Sequence, residues 1–391
     1  MTVIDSDEAV SGPGRRAMLF QYVVASFPPP ALQILLAGLG DHVGKTADPA
    51  AIAFHRDLPD ISLLDGRIPK LIRPLYTLPS SGARQKVKVM TPIHDTRDYH
   101  RHGRIDLMTE FTISESLRSV GSPYARALKI SASYGAMVGR KLAEAGFLRP
   151  GCRLCEVGGG YGSLMQGLLE SYAPLIGRVT MVDLSSRLLA RQKACLKPWG
   201  SKVDFIHGDI SDLIKSLRGI DLVILNEVIG DLDTWTDLAA SALPVEVEGL
   251  VGKYGLEVPV KGRFHFNVGA IRLLEAICRG GFAAFISEHS SDPIIPPGMD
   301  YLARGMALDG FPREIRLRDH SEYTIRFSHL LSVAKALGRR ARTGSLLELL
   351  GIGDAPGLRF IFTAQASAKD EQAVILEFLD HAREYRWLML E

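Results

Sequence analysis

Between residues 154 and 164 a short apolar run, Leu154-Cys155-Glu156-Val157, meets Gly158-Gly159-Gly160-Tyr161-Gly162 and then a helix-like pattern. Glycines at 158, 160 and 162 lack a Cβ and tolerate positive φ, so the backbone can fold tightly beside a ligand before a helix starts. This is the chemistry of a nucleotide-binding turn. A dinucleotide fingerprint, G-x-G-x-x-G, would place a glycine where Ser163 stands, which disfavours a nicotinamide cofactor. Three more apolar runs end in acidic or amide groups: 179–183 on Asp183, 203–209 on Asp209, and 221–227 on Asn226-Glu227. Strands of a parallel sheet covered on both faces read as continuous apolar runs, and ligands sit beyond their carboxyl ends. Four such runs in succession predict one shared crevice.

The elements that must position these groups alternate strand and helix, with helical patterns over 162–171, 186–196 and 211–217, as βαβ units require. A helix over 124–145, capped by Ser122-Pro123 and closed by Gly146, is expected to deliver the chain to the first strand. After the fourth strand, residues 231–268 read as an insertion at the mouth of the sheet. A helix over 270–279 and a fifth strand, 282–286, follow, the strand running into Ser287-Glu288-His289. A proline-rich loop over 290–319, a helix over 321–337, a closing strand at 358–364 and a docking helix over 370–390 complete the expectation.

At 391 residues the chain can bury a sizeable core. Apolar residues make up 46% and charged ones 23%, the balance of a soluble globular protein. A formal charge of +2 implies no general affinity for nucleic acid or membranes. Four cysteines form no disulfide framework and point to a reducing compartment, the cytoplasm. Cys152 and Cys155 make a C-x-x-C, but residues three apart on a strand face opposite ways, so buried strand cysteines are expected. The stretch 81–104 is basic and rich in histidine. His100 and His102, with Asp95 and Asp98, are conceivable metal ligands, yet no second ligand pair has recognisable spacing. A solvated, mobile loop is expected there and no metal is assigned.

The order Glu-x-Gly-x-Gly-x-Gly from Glu156, together with the acid-ended runs, resembles the first motif of class I S-adenosylmethionine-dependent methyltransferases. The resemblance implies an α/β, Rossmann-like, doubly wound sheet and S-adenosyl-L-methionine as cofactor. Under it, Gly158, Gly160 and Gly162 line the cofactor, and Glu156 lies beneath its methionine end. Asp183 accepts the ribose hydroxyls with Leu184 beside it. Asp209 accepts from the adenine amino group with Ile210 on the ring, and Asn226 completes the cofactor set. Asp183 and Asp209 could instead cap the helices that follow, and Glu156 could anchor the glycine loop.

A narrower likeness lies in residues 155–168 and 179–192, in Ile224-Leu225-Asn226-Glu227, and in Leu346-Leu347-Glu348-Leu349-Leu350-Gly351-Ile352. These are similar to the MidA-like methyltransferases, which include the mitochondrial complex I assembly methyltransferase acting on a protein arginine. That family usually continues Asn-Glu with two aromatics, an aspartate and a proline. Here Val228-Ile229-Gly230-Asp231-Leu232 follows.

Methyl transfer from a sulfonium is an in-line displacement, so the protein chiefly positions two reactants, with a base needed if the acceptor arrives protonated. Glu227, Glu288 and His289 are the acceptor-side candidates, His289 because its reference pKa lies near neutrality. The acceptor is expected to be a small molecule or a protein side chain at nitrogen or oxygen, with no nucleic acid or membrane partner and a homodimer as one arrangement. Residues 1–120 are expected to form a mainly helical cap, 121–367 the cofactor domain, and 368–391 a docking helix. A cover over the acceptor pocket is expected from the first 110 residues, 231–268 and 290–319. A non-catalytic cofactor-binding assembly factor and a nicotinamide-dependent oxidoreductase are the competing classes.

Overall fold

The structure is a computed structural model and describes residues 93–103, 105–107, 110–364 and 370–391, all within the compact unit 88–391. The readings for the first 92 residues lie outside the described residues. Twelve strands are described: β1 Ile93–His94, β2 Cys152–Val157, β3 Ile176–Asp183, β4 Val203–His207, β5 Leu222–Asn226, β6 Thr234–Ala239, β7 Arg263–Phe266, β8 Ala283–His289, β9 Glu314–Arg316, β10 Ser321–Tyr323, β11 Ala341–Ser345 and β12 Tyr385–Leu390.

Seven of them form one sheet in the order β11-β12-β8-β5-β2-β3-β4. β4, β3, β2, β5 and β8 run parallel, whereas β12 is antiparallel to both β8 and β11. The apolar runs explain the sheet. Leu154, Ile224 and Phe285 point into one core, and Cys155, Val223 and Ile286 into the other, so alternate residues of each strand are buried on opposite faces. Helices Tyr134–Glu144 and Ser163–Tyr172 cover the first face; Val268–Gly280 and Phe327–Ala336 cover the second. Truncating a buried aromatic such as Phe285 to alanine would cost about 3–5 kcal/mol. Cys152 and Cys155 are free, buried and on opposite faces, as their spacing required.

This is the Rossmann-like doubly wound sheet expected from the sequence. Its strand order reverses between β2 and β5: the chain winds outward through β3 and β4, then returns to β5 and β8. Ligands of open α/β sheets bind at such a switch point, beyond the carboxyl ends of the strands.

Several local expectations are corrected. The helix over 124–145 is two, Pro123–Ala127 and Tyr134–Glu144, capped separately by Ser122 and Ser133 through backbone N–H groups of Ala125 and Ala136. Lys129 between them has φ 57, outside the helical region, so one continuous helix cannot form. Residues 356–364 are a helix, not the closing strand. The tail forms helix Asp370–Ala382 and then β12, every residue of which is buried between β8 and β11. The stretch 321–337 opens as β10 before helix Phe327–Ala336. The insertion 231–268 is ordered: β6 and β7 flank helix Val245–Tyr254, and β1 pairs with β6 to complete a three-stranded sheet. No helix of the described residues is long and apolar enough to cross a membrane.

Candidate active site

At the end of β2 the chain turns through Gly158 (φ 61), Gly160 (φ 53) and Gly162 (φ 92), and helix Ser163–Tyr172 begins. A Cβ on Gly158 would stand 2.6 Å from Val228 Cγ2, and one on Gly160 would stand 2.8 Å from Leu107 Cδ1. Space and φ therefore both demand glycine at these two positions. Gly162 plays another part than expected. It is the N-cap residue of the helix and lies behind the turn, facing Cys195 rather than the cavity.

The turn borders a cavity of about 360 Å³ at the switch point. Glu156, Gly158, Gly160, Asp183 and Leu184 line one part of it, next to Asp209 and Ile210. Asn226, Glu227, Glu288 and His289 line another. Its cover comes from residues 96–100, from Ile105 and Leu107, and from residues 110–114, 231–233, 313–317 and 380–385. The basic stretch is thus not a solvated loop where it is described. Arg97 pairs with Asp95, Asp209 and Asp233 at 2.6, 2.8 and 2.8 Å, and His100 lies 3.0 Å from Asp231. Asp95 is held by Arg97, so the histidine and aspartate set considered within 95–102 does not assemble.

On the β3 side, Asp183 Oδ1 accepts from the Ser185 N–H at 2.8 Å and Oδ2 from Gln192 Nε2 at 2.7 Å. The same Gln192 amide donates to the Gly160 carbonyl at 3.1 Å, tying the turn to the carboxylate. Sequence reasoning missed Gln192; its place one helix behind Asp183 was the available signal. Asp209 is the N-cap of helix Ile210–Leu213, accepting from the Ser211 N–H at 2.8 Å, and its other oxygen accepts from Arg97 Nε at 2.8 Å. Burial opposes its charge, but these donors outweigh burial and hold the carboxyl below its usual range. Glu156 is fully buried, and its Oε2 has no hydrogen-bond partner among the described residues. Burial, then Asp183 and Glu115, push this carboxyl up to about 8.

The acceptor-side candidates line the cavity and are held largely by the protein itself. Glu227 sits in the left-handed region (φ 55), and its oxygens accept from the Ile113 N–H (2.8 Å), the Tyr385 hydroxyl (2.8 Å) and Asn226 Nδ2 (2.9 Å). It lines the cavity, but it is the junction of three chain segments, with its acceptor capacity largely taken by the protein. Asn226 Oδ1 in turn accepts from the Tyr134 hydroxyl at 2.7 Å. Glu288 accepts from the Gly230 N–H at 3.2 Å, and burial followed by Glu322 raises its carboxyl well above the usual range. His289 packs on Tyr385 with ring centroids 4.0 Å apart. Burial, then His381 and Arg313, push its imidazole down to about 3, which makes it a poor base at neutral pH.

Residues 154–243 match a methyltransferase-domain family model. Over this span the chain is similar to methyltransferase domains. The whole glycine turn lies within the matched span. No curated protein matches the sequence. Among solved structures, this chain resembles a COG1565 superfamily protein from Burkholderia thailandensis, with 17% identity, 72% of this chain and 87% of that chain covered, and a TM-score of 0.45. A COG1565 superfamily member of the same organism, bound to S-adenosylhomocysteine, matches at 17% identity over the same shares with a TM-score of 0.41. An S-adenosylmethionine-dependent methyltransferase from Clostridium acetobutylicum matches at 11% identity, over 66% of this chain and 90% of that one, at 0.32. With every one of these TM-scores below 0.5, the fold rests on the strand order of the sheet itself.

The wall of the cavity fits the cofactor. Gly158 and Gly160 line the cavity without a Cβ, each Asp183 oxygen has one protein donor and a lone pair left to accept another, and Glu156 offers an unpartnered buried oxygen.

Proposed function

We propose that the methyltransferase moves a methyl group from S-adenosylmethionine to a nitrogen or oxygen nucleophile of a small molecule held in the covered cavity. When bound, the cofactor supplies an electrophilic methyl group that already carries the activating positive charge. Asp183 and the glycine turn would hold its ribose and methionine parts, Glu156 would lie beneath the methionine end, and Ile210 would meet the adenine. Burial raises the Glu156 and Glu288 carboxyls in the free protein, and a sulfonium beside them would favour their charged forms. The cover excludes water and fixes the acceptor, which is most of what an in-line displacement needs from a protein. Since Glu227 is engaged by the chain and His289 is neutral, an acceptor that arrives unprotonated is favoured over one needing a base.

The observation that carries this reading is the convergence of the bare glycine turn and Asp183 on a roofed cavity at the switch point of the sheet. A protein side chain is the second reading, favoured by the acid-rich wall, which suits a guanidinium or ammonium group, and by the MidA-like Asn226-Glu227. Incubating the enzyme with lysate and a labelled methyl donor tests both. Label in the small-molecule fraction is expected; label in protein would favour the second reading, and label in neither would reject catalysis.

A further inference from the structure

Beside the cofactor wall, the fold gathers His100 from the 97–102 helix, Asp231 from the turn after β5, and His320 and Glu322 from the β9–β10 hairpin. His100 Nε2 lies 3.0 Å from Asp231 Oδ1, and His320 Nε2 lies 3.8 Å from that oxygen and 3.3 Å from Glu322 Oε1. One ligand atom from each of His100, Asp231 and His320 lies within 4.8 Å of the others. His100 Nε2 and Asp231 Oδ1 form an ion pair, and their geometry falls short of a well-formed hydrogen bond. Donor atoms about 2.0–2.1 Å from a tetrahedral ion stand about 3.3 Å apart, close to the separations seen here.

We propose that His100, Asp231 and His320, with Glu322 beside them, bind a first-row divalent transition-metal ion in the wall of the cavity. Two imidazoles and carboxylate oxygens select such an ion, zinc, iron, manganese or cobalt, over magnesium or calcium, which prefer oxygen alone. The ring of His320 is 5% exposed and stacks on Tyr99 with centroids 4.0 Å apart, while the Tyr99 hydroxyl donates to Glu110 at 2.9 Å. The stack restricts the orientation of the His320 ring, whose Nδ1 is buried without a hydrogen-bond partner among the described residues. His100, Asp231 and Glu322 also line the cavity, so an open coordination position faces the chamber and would take an oxygen or nitrogen of the acceptor. The role toward an acceptor rests on the methyl-transfer reading; metal binding itself does not.

The test uses the full chain, stripped with chelator and titrated with Co²⁺ and Zn²⁺. Equimolar metal retained through gel filtration, with visible d–d absorption for Co²⁺, is expected. His320→Gln and Asp231→Asn should each weaken binding more than about tenfold, while His102→Ala, an exposed neighbour on the same helix, should leave it unchanged. Circular dichroism of the variants separates a lost site from a lost fold. Wild-type protein that retains no metal would overturn the proposal, as would binding indifferent to both ligand substitutions. Separate calorimetry with S-adenosylmethionine reports on the methyl-transfer reading whatever the metal result.

Discussion

On the β3 side of the cavity, Asp183 is oriented by Gln192, nine positions away, and by Ser185, two positions away. On the β5 side, Glu227 is oriented by Ile113, 114 positions earlier, and by Tyr385, 158 positions later. The first arrangement is built by one strand, one turn and one helix, and any chain that forms this βαβ unit forms the site. The second exists only when the N-terminal segment, the sheet and β12 are all in place. Cofactor binding should therefore be locally encoded, and the acceptor side should report on the integrity of the whole fold.

The largest effect that could break this comparison is at the turn. Gly160→Val puts a β-branched residue at φ 53, where Leu107 already occupies the space. Affinity for S-adenosylmethionine by calorimetry should fall on the order of 100-fold or more, ~3 kcal/mol. Asp183→Ala should lower it too, and it also leaves the Ser185 N–H and the Gln192 amide without their acceptor. A variant pair binding as the wild type does would sink the cofactor site.

Glu227→Ala attacks the other side. It strips the acceptor from the Ile113 N–H, the Tyr385 hydroxyl and the Asn226 amide, all of which stay at least partly buried. A loss of about 3 kcal/mol in urea unfolding is expected, with cofactor affinity within about a factor of two per surviving folded molecule. Full stability together with abolished turnover would instead return Glu227 to acceptor chemistry.

These two sides also differ in how much a reader of the sequence could see. The glycine turn, the acid-ended strands and the parallel order from β4 to β8 follow from local apolar runs and their punctuation. Neither β11 nor β12 does. Ala341-Arg342-Thr343-Gly344-Ser345 has no apolar run, and β12 hides Arg386, which sits against the Asp292 carbonyl and carboxylate. β12 pairs with the edge of β8 and β11 with β12, so both are strands through their tertiary partners. The donors on Glu227 were invisible because one is a backbone N–H, which every residue but proline carries. His289 shows the same limit in electrostatics: its reference pKa suggested a base, and burial removed that property. The pairing of His100 with Asp231 joins segments 131 residues apart by number, and no spacing rule connects them.

A smaller effect sharpens the electrostatic side. Burial raises the Glu156 carboxyl from its ordinary value to about 8 in the folded, ligand-free protein. The native state then holds a proton that the unfolded chain gives up near pH ~4.5, so this group's contribution to stability is full below that pH. It is lost as pH rises toward 8. Denaturant midpoints should fall across that window in the wild type and fall less in Glu156→Gln. Equal slopes would mean that Glu156 ionises freely and that its burial has been overcome by solvent.

The smallest expected effect lies where the two arrangements meet. Asp209 belongs to the locally built half, yet its outer oxygen is held by Arg97 from the cover, 112 positions earlier, and Arg97 also reaches Asp233 beyond β5. The Arg97 side chain is 29% exposed, so solvent screens these pairs and Arg97→Ala should cost only about 1 kcal/mol. That cost should be local. Amides of helix 97–102 should exchange about fivefold faster by hydrogen exchange, while those of β2 and β5 keep their protection, and raising the salt concentration should narrow the difference between wild type and variant. Arg97→Lys should recover part of the protection, because an ammonium restores the charge without the planar fork that spans Asp95, Asp209 and Asp233. Faster exchange spreading through β2 and β5 would mean instead that the cover and the cofactor half open as one unit, and that the division between local and long-range construction has no energetic meaning.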